Sequence, residues 1–125
     1  MATRIVKGSF LEGAPVSFEC EWPQQPSGTL WQQADFTGCT LTVFDVSTGF
    51  QVGTPSRSVA QVLTNFPMSW DLSPTGNNFH DLVTTTEVDA EGGHTYQFEY
   101  AFFRADGYGY ERLVFIGGCQ GIGAA

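Results

Sequence analysis

The sequence has little charge and few basic residues. Charged side chains make up 14% of the 125 residues, whereas about a quarter is typical of soluble domains. The net charge is −8 and the five basic residues are scattered: Arg4, Lys7, Arg57, Arg104 and Arg112. Because nucleic-acid binding needs clustered cations opposite a row of phosphates, we expect no nucleic-acid partner.

The residue clusters on which metal chemistry depends are also missing. Cys20, Cys39 and Cys119 are widely spaced, and no Cys-x-x-Cys pair or Cys/His ligand run occurs. We therefore expect no metal and no cofactor. Cys20 falls on the core-facing positions of an alternating segment, so we interpret it as a small buried hydrophobe. A Cys20–Cys39 disulfide stays open as an alternative.

Long apolar runs are missing as well. No stretch approaches the roughly 18 apolar residues that a membrane-spanning helix needs. Residues 2–4 lead into a strand-like run rather than a signal peptide. We expect no membrane partner and synthesis in the cytoplasm. The length predicts one domain over residues 1–125, with flexible ends at 1–4 and 117–125.

Aromatic residues, in contrast, are abundant and regularly spaced near the C-terminus. Every second position of one segment carries a ring: His94, Tyr96, Phe98, Tyr100 and Phe102. A period of two predicts a strand with one buried face. Asp106-Gly107 follows, and residues 108–116 are again strand-like, so the sequence predicts a β-hairpin.

Shorter strand patterns precede this hairpin. We predict strands at 5–11, 16–22, 39–45, 68–72 and 79–83, a short helical turn or irregular loop at 29–35, and a loop at 50–56. Residues 57–64 fit a helix or a strand, and their β-branched content favours the strand. Seven or eight short strands at roughly ten-residue spacing indicate an all-β sandwich or barrel, and we expect an antiparallel β-sandwich.

Candidate catalytic groups are few. His94 is interpreted as a turn or core-edge histidine, and His80, near Asp71 and Asp81, as a weak metal candidate. Paired carboxylates could serve glycoside hydrolysis, and these are Glu19, Glu21, Glu87, Asp89 and Glu91. Solvated strand faces and loops explain them more simply, so we expect no enzymatic activity, with a small Glu/Asp hydrolase as a minor alternative.

Aromatic residues in loops suggest a binding surface. Trp22 falls on a core-facing position, whereas Trp31 and Phe50 lie in predicted loops, where isolated aromatics often mark interfaces. The candidate interface residues are Trp31, Phe50, Tyr108, Arg4 and Ile122. A carbohydrate-binding module that stacks sugars on Trp31, Phe50 and Tyr108 is the alternative.

The order of several motifs resembles one known family. Residues 34–45 (ADFTGCTLTVFD) enter a strand through an acidic-apolar-Thr-Gly pattern, and the short segment 68–72 (MSWDL) follows. Then come residues 92–100 (GGHTYQFEY) and the Asp106-Gly107 turn. Over residues 30–116 this order resembles the N-terminal immunoglobulin-like module of tailed-phage baseplate upper proteins. Residues 73–91 are longer than the corresponding connection in that module.

The resemblance implies an immunoglobulin-like fold and a place in a virion. No receptor-binding or fibre region follows the last strand, so we expect a stand-alone virion component assembled in the bacterial cytoplasm. This would be a capsid decoration (cement) protein or a small tail or connector protein. Its expected partners are other virion proteins and copies of itself, in a homo-oligomer such as a trimer. The two chain ends, with Arg4 and Ile122, are the hypothesised contacts.

Overall fold

A computed structural model describes residues 3–23, 29–68 and 77–121. Strands dominate this part of the chain, joined by a single helical turn and a 3-10 turn at Gln33–Asp35. The bounds are β1 Thr3–Leu11, β2 Val16–Cys20, β3 Phe36–Asp45, β4 Phe50–Gly53, α1 Val59–Val62, β5 Leu63–Met68, β6 Asn77–Val83, β7 Thr95–Arg104 and β8 Tyr110–Gln120.

The strands form two sheets, which confirms the predicted all-β sandwich. The larger sheet has the order β1-β8-β7-β3-β4, and the smaller has the order β2-β6-β5. All strand pairs within the described residues are antiparallel except β1 and β8, which run parallel. The prediction of a purely antiparallel sandwich is therefore wrong for β1, which crosses to the far edge of the larger sheet instead of pairing with β2.

This strand order is that of an immunoglobulin sandwich. β2, β6 and β5 take the places of strands B, E and D, and β3, β7 and β8 those of strands C, F and G. β4 extends the larger sheet beside β3, as the additional C′ strand does in variable-type domains. The topology follows from the strand pairing alone and identifies no particular family.

A tyrosine at the start of β7 supports the same topology. The Tyr96 hydroxyl accepts a hydrogen bond of 2.7 Å from the backbone N–H of Glu91, which is the geometry of the tyrosine corner in immunoglobulin domains. Two residues later, where antibody domains place a disulfide cysteine, Phe98 packs against Phe18 of β2 with ring centroids 4.8 Å apart. A phenylalanine contact thus joins the two sheets at this point.

The core between the sheets is built mainly from aromatic rings, as the alternation in β7 predicts. Tyr96, Phe98, Tyr100 and Phe102 all face inward and are fully buried. Their partners include Phe79 of β6, which meets Tyr100 edge to face at 5.0 Å. Edge-to-face and offset rings at such distances add to the apolar area that they bury. Burial of this one face positions β7 in the middle of the larger sheet.

The region 57–64 begins as a helical turn and continues as a strand. Val59–Val62 is α1, and Leu63 begins β5, so the predicted strand is wrong for the first half. Ser58 and Gln61 form a capping box around the turn, in which each side chain binds the other residue's backbone N–H. This local hydrogen bonding outweighs the β-branched content of Val59 and Val62.

Segments predicted as a loop or a flexible end also contain strands. Phe50–Gly53 pairs with β3 as β4. Thr3 and Arg4 lie in β1, and residues 117–120 lie in β8. Gly117 and Gly118 gain order because β8 is paired on both sides, with β1 and β7. Residues 1–2, 24–28, 69–76 and 122–125 lie outside the described residues, and they include most of the predicted strand 68–72.

Candidate interaction surface

The loop between β7 and β8 forms the predicted hairpin and has a defined shape. Gly107 and Gly109 both adopt positive φ angles, 81° and 98°, which residues with a side chain rarely adopt. The Asp106 carboxylate accepts a hydrogen bond of 3.0 Å from the Tyr108 N–H. The Arg104 N–H donates to the Gly109 carbonyl at 2.9 Å and closes the loop.

The Arg104 side chain stabilises the shape of this hairpin. Its guanidinium binds the Asp106 carboxylate at 2.5 Å and the Glu111 carboxylate at 3.1 Å. The same group lies over the Trp31 ring, 5.6 Å from its centroid, within the range of a cation–π contact. The hydrogen bond to Asp106 raises the pKa of Arg104 and lowers that of Asp106. Arg104 therefore joins the hairpin tip to the core.

Three aromatic side chains are exposed on this hairpin. Tyr108, at the tip, is 79% exposed, and Phe103 and Tyr110 are partly exposed on the two strands. Phe103 and Tyr110 face each other across the strands with ring centroids 6.3 Å apart. We call these three residues the hairpin surface. Large, rigid rings on a fixed loop are the side chains that most often dominate protein–protein contacts.

The predicted interface residues are not brought together. Trp31 is only 8% exposed, since it packs on Trp22 and Phe36 beneath Arg104, so its predicted surface position is wrong. Phe50 is 72% exposed but adjoins the Asp45 end of β3, whereas the hairpin adjoins the Phe36 end. The ten residues of β3 separate these ends by about 30 Å.

The other two predicted interface residues can be placed only in part. The backbone of Arg4 pairs with Leu113 near the start of β1, and Ile122 lies outside the described residues. The stacking platform of Trp31, Phe50 and Tyr108 that the carbohydrate-binding alternative requires is not formed, because one ring is buried and the other two lie at opposite ends.

Arg57, which no sequence motif indicates, lies on the side of the core that belongs to the smaller sheet. Arg57 binds Asp81 at 2.8 Å and Glu87 at 2.7 Å. The Tyr100 hydroxyl donates to the same Asp81 carboxylate at 2.5 Å. The hydrogen bonds from Arg57 lower the pKa of Glu87 to about 2. This cluster occupies Glu87, one of the carboxylates considered for hydrolysis. The partners of Arg57 are 24 and 30 residues away in sequence, so no local motif reveals the cluster.

His94 lies in the turn before β7, as predicted. Its Nδ1 atom is 2.7 Å from the buried Asp45 carboxylate, and its Nε2 atom is 3.5 Å from the Glu91 carboxylate. The hydrogen bond to Asp45 raises the pKa of His94. Asp45 also accepts hydrogen bonds from the Ser47 and Thr48 N–H groups and so fixes the β3–β4 turn. The His94–Asp45 pair thus links the turn before β7 to the β3–β4 turn, at the end of the sandwich opposite the hairpin.

The remaining reactive groups are buried or dispersed. Cys20, Cys39 and Cys119 are all buried free thiols, so the predicted burial of Cys20 is confirmed and the Cys20–Cys39 bridge does not form. Burial raises the pKa of the Cys39 thiol to about 12. Within residues 3–23, 29–68 and 77–121, no group of three metal-binding side chains is assembled. Asp71, the predicted neighbour of His80, lies outside those ranges.

An open groove of about 520 Å³ runs along one side of the sandwich. β1, β2 and the middle of β8 line it, and Glu19 is the one acidic residue among its lining side chains. The sequence offers Glu19 and Glu21 as a carboxylate pair. Glu19 instead belongs to the wall of an apolar groove, and Glu21 lies beyond the end of β2.

Comparison with known proteins gives no relative. No protein-family model, no curated protein and no solved structure matches the chain. In the part of the chain that the structure describes, neither helical turn is long and apolar enough to span a membrane.

Proposed function

We propose that this chain is a non-enzymatic binding domain that docks onto a protein lattice through the hairpin surface. The observation that carries the proposal is the combination of exposure and fixed shape at Phe103, Tyr108 and Tyr110. Binding a partner costs the entropy of ordering side chains and loops. A loop that is already held by Arg104 and Asp106 loses less entropy on docking than a loose one.

The motif order of the sequence extends this proposal to a virion. By its resemblance to the immunoglobulin-like module of phage baseplate proteins, the chain is a structural component of a phage particle, a capsid decoration (cement) protein or a small tail or connector protein. Its partners are capsid or tail proteins and further copies of itself. The immunoglobulin strand order is compatible with that family, although many unrelated proteins share this fold.

Cosedimentation with particles tests the docking surface. Particles assembled from the structural proteins of the same virus are mixed with the wild-type chain, with Tyr108→Ala or with Phe50→Ala. Because Phe50 is also highly exposed but lies at the opposite end, it serves as the matched control. We expect Tyr108→Ala to sediment with particles at least about tenfold more weakly, and Phe50→Ala to sediment like the wild type. Equal binding by both variants and the wild type would contradict docking through the hairpin.

The oligomeric state tests the proposed self-association. Light scattering of the reduced protein over a concentration series gives its mass in solution. We expect a closed oligomer, and a trimer for a decoration protein at local three-fold positions of a capsid. A monomer at all concentrations would contradict self-association in solution while leaving the cosedimentation result to decide the docking proposal.

A further inference from the structure

The groove beside β1 has an aromatic floor. Phe10, Phe18 and Phe115 line it, and Phe18 stacks on Phe115 with ring centroids 4.4 Å apart. Phe10 and Phe18 are only partly buried and pack against the core from its edge. The groove therefore gives access to the aromatic core between the two sheets.

The walls of the groove are the edges of two strands. β1 pairs with β8, and β2 pairs with β6; among the described residues no strand pairs with the other edge of either. In constant-type immunoglobulin domains the first strand lies beside strand B, the position of β2. Because β1 lies in the other sheet here, no strand of the part that the structure describes takes the place next to β2. An open strand edge offers N–H and C=O groups to an added strand.

Glycine widens the groove. Gly8 in the middle of β1 is paired with Gly117 of β8, and both line the groove. A Cβ atom on Gly8 would meet nothing within 4 Å, so there is open space above this position. A glycine inside a strand weakens the strand, and it often marks a site where another backbone approaches closely.

The charge of the groove indicates the kind of chain that fits. Glu19 lies in its wall, and no Lys or Arg is among the described lining residues. Glu12 and Glu21 follow the ends of β1 and β2, and the whole chain carries a net charge of −8. At this groove an acidic segment, such as one from a second copy, would be repelled, whereas a segment with basic residues would be attracted.

From these observations we propose that the groove binds an extended segment of another protein, which adds as a fourth strand beside β2. Such a segment carries apolar side chains on alternate positions, which contact Phe10 and Phe18, and basic residues near its ends. This site is separate from the hairpin surface, and neither proposal depends on the other.

Short synthetic peptides provide the probe. Their centre alternates Val and Thr, and their ends carry either two Lys or two Glu residues; binding is measured by fluorescence anisotropy. Gly8→Val fills the open space with a residue that favours strands. Gly118→Val is the matched control, since Gly118 is also a strand glycine with nothing within 4 Å of an added Cβ but does not line the groove. Circular dichroism and thermal unfolding establish that both variants fold.

We expect the wild type and Gly118→Val to bind the Lys-ended peptide alike, and Gly8→Val to bind it at least about tenfold more weakly. The Glu-ended peptide should bind the wild type more weakly than the Lys-ended one. Equal binding by Gly8→Val and the wild type, or no saturable binding of either peptide to the wild type, would overturn the proposal. A wild-type dimer that Gly8→Val abolishes would also overturn it, because a second copy would then fill the groove.

Discussion

Arg57 and Arg104 make the same kind of contact in two different environments. Each guanidinium binds two carboxylates, Asp81 and Glu87 in one cluster and Asp106 and Glu111 in the other. The Arg57 side chain is only 6% exposed, whereas Arg104 lies nearer the surface, over Trp31. Burial makes an unpaired charge costly, so the Arg57 cluster holds the sandwich together. The Arg104 cluster mainly fixes the shape of one loop.

Removing the buried cation should have the largest effect. Arg57→Met keeps much of the side-chain volume but leaves Asp81 buried without its cation. We expect the free energy of unfolding, measured by urea denaturation, to fall by about 3 kcal/mol. A change no larger than that of Arg104→Met would contradict the distinction between the two clusters.

The Tyr100 hydroxyl should have the next largest effect. Tyr100 is fully buried and donates to Asp81 at 2.5 Å, so Tyr100→Phe removes a hydrogen bond to a buried carboxylate. We expect a loss of about 2 kcal/mol in the free energy of unfolding. Tyr108→Phe, which removes an exposed hydroxyl, is the control and should unfold like the wild type. Equal unfolding curves for the two variants would show that Asp81 does not depend on Tyr100.

Acid should weaken the Arg57 cluster over a defined pH range. Arg57 lowers the pKa of Glu87 from an ordinary 4.5 to about 2 in the folded protein. A lowered folded-state pKa contributes stability that is present above 4.5 and is lost as the pH falls towards 2. We expect Glu87→Gln to be less stable at neutral pH and to lose less stability over that range. Parallel pH profiles for wild type and variant would contradict the role of Glu87.

Breaking the Arg104 cluster should change stability less and loop order most. Arg104→Gln removes the ion pairs to Asp106 and Glu111. Water replaces the contact to the exposed Asp106 carboxylate, whereas the Glu111 carboxylate is buried and loses its cation. We expect a smaller shift in thermal midpoint than for Arg57→Met, together with faster amide hydrogen exchange at residues 107–109. Unchanged exchange in the loop would show that the glycine turns alone fix its shape.

Strong local patterns revealed much of the fold. The alternation from His94 to Phe102 and the Asp106-Gly107 turn predict β7, the hairpin and the buried face correctly. The Ser58/Gln61 capping box is a helix signal that the sequence also contains. The β-branched residues around it favour a strand, and that prediction is wrong for Val59–Val62.

Features that depend on distant partners could not be predicted. β4 is short and exposed, and it is a strand only because it pairs with β3. The glycines of β8 are ordered by neighbours on both sides, and Arg57 meets its carboxylates only after folding. The sequence predicts Trp31 in a surface loop, yet two aromatic neighbours and Arg104 cover it. The sequence indicates Tyr108 as a binding residue, but not its neighbour Phe103.

The most direct test of docking through the hairpin is photo-cross-linking from its tip. A benzoyl-phenylalanine side chain is placed at position 108 or, as a control, at position 50, and each protein is irradiated with particles of the same virus. The account predicts a cross-link to a particle protein from position 108 and little or none from position 50. A cross-link from position 50 but not from position 108 would contradict it and would place the contact at the opposite end of the sandwich.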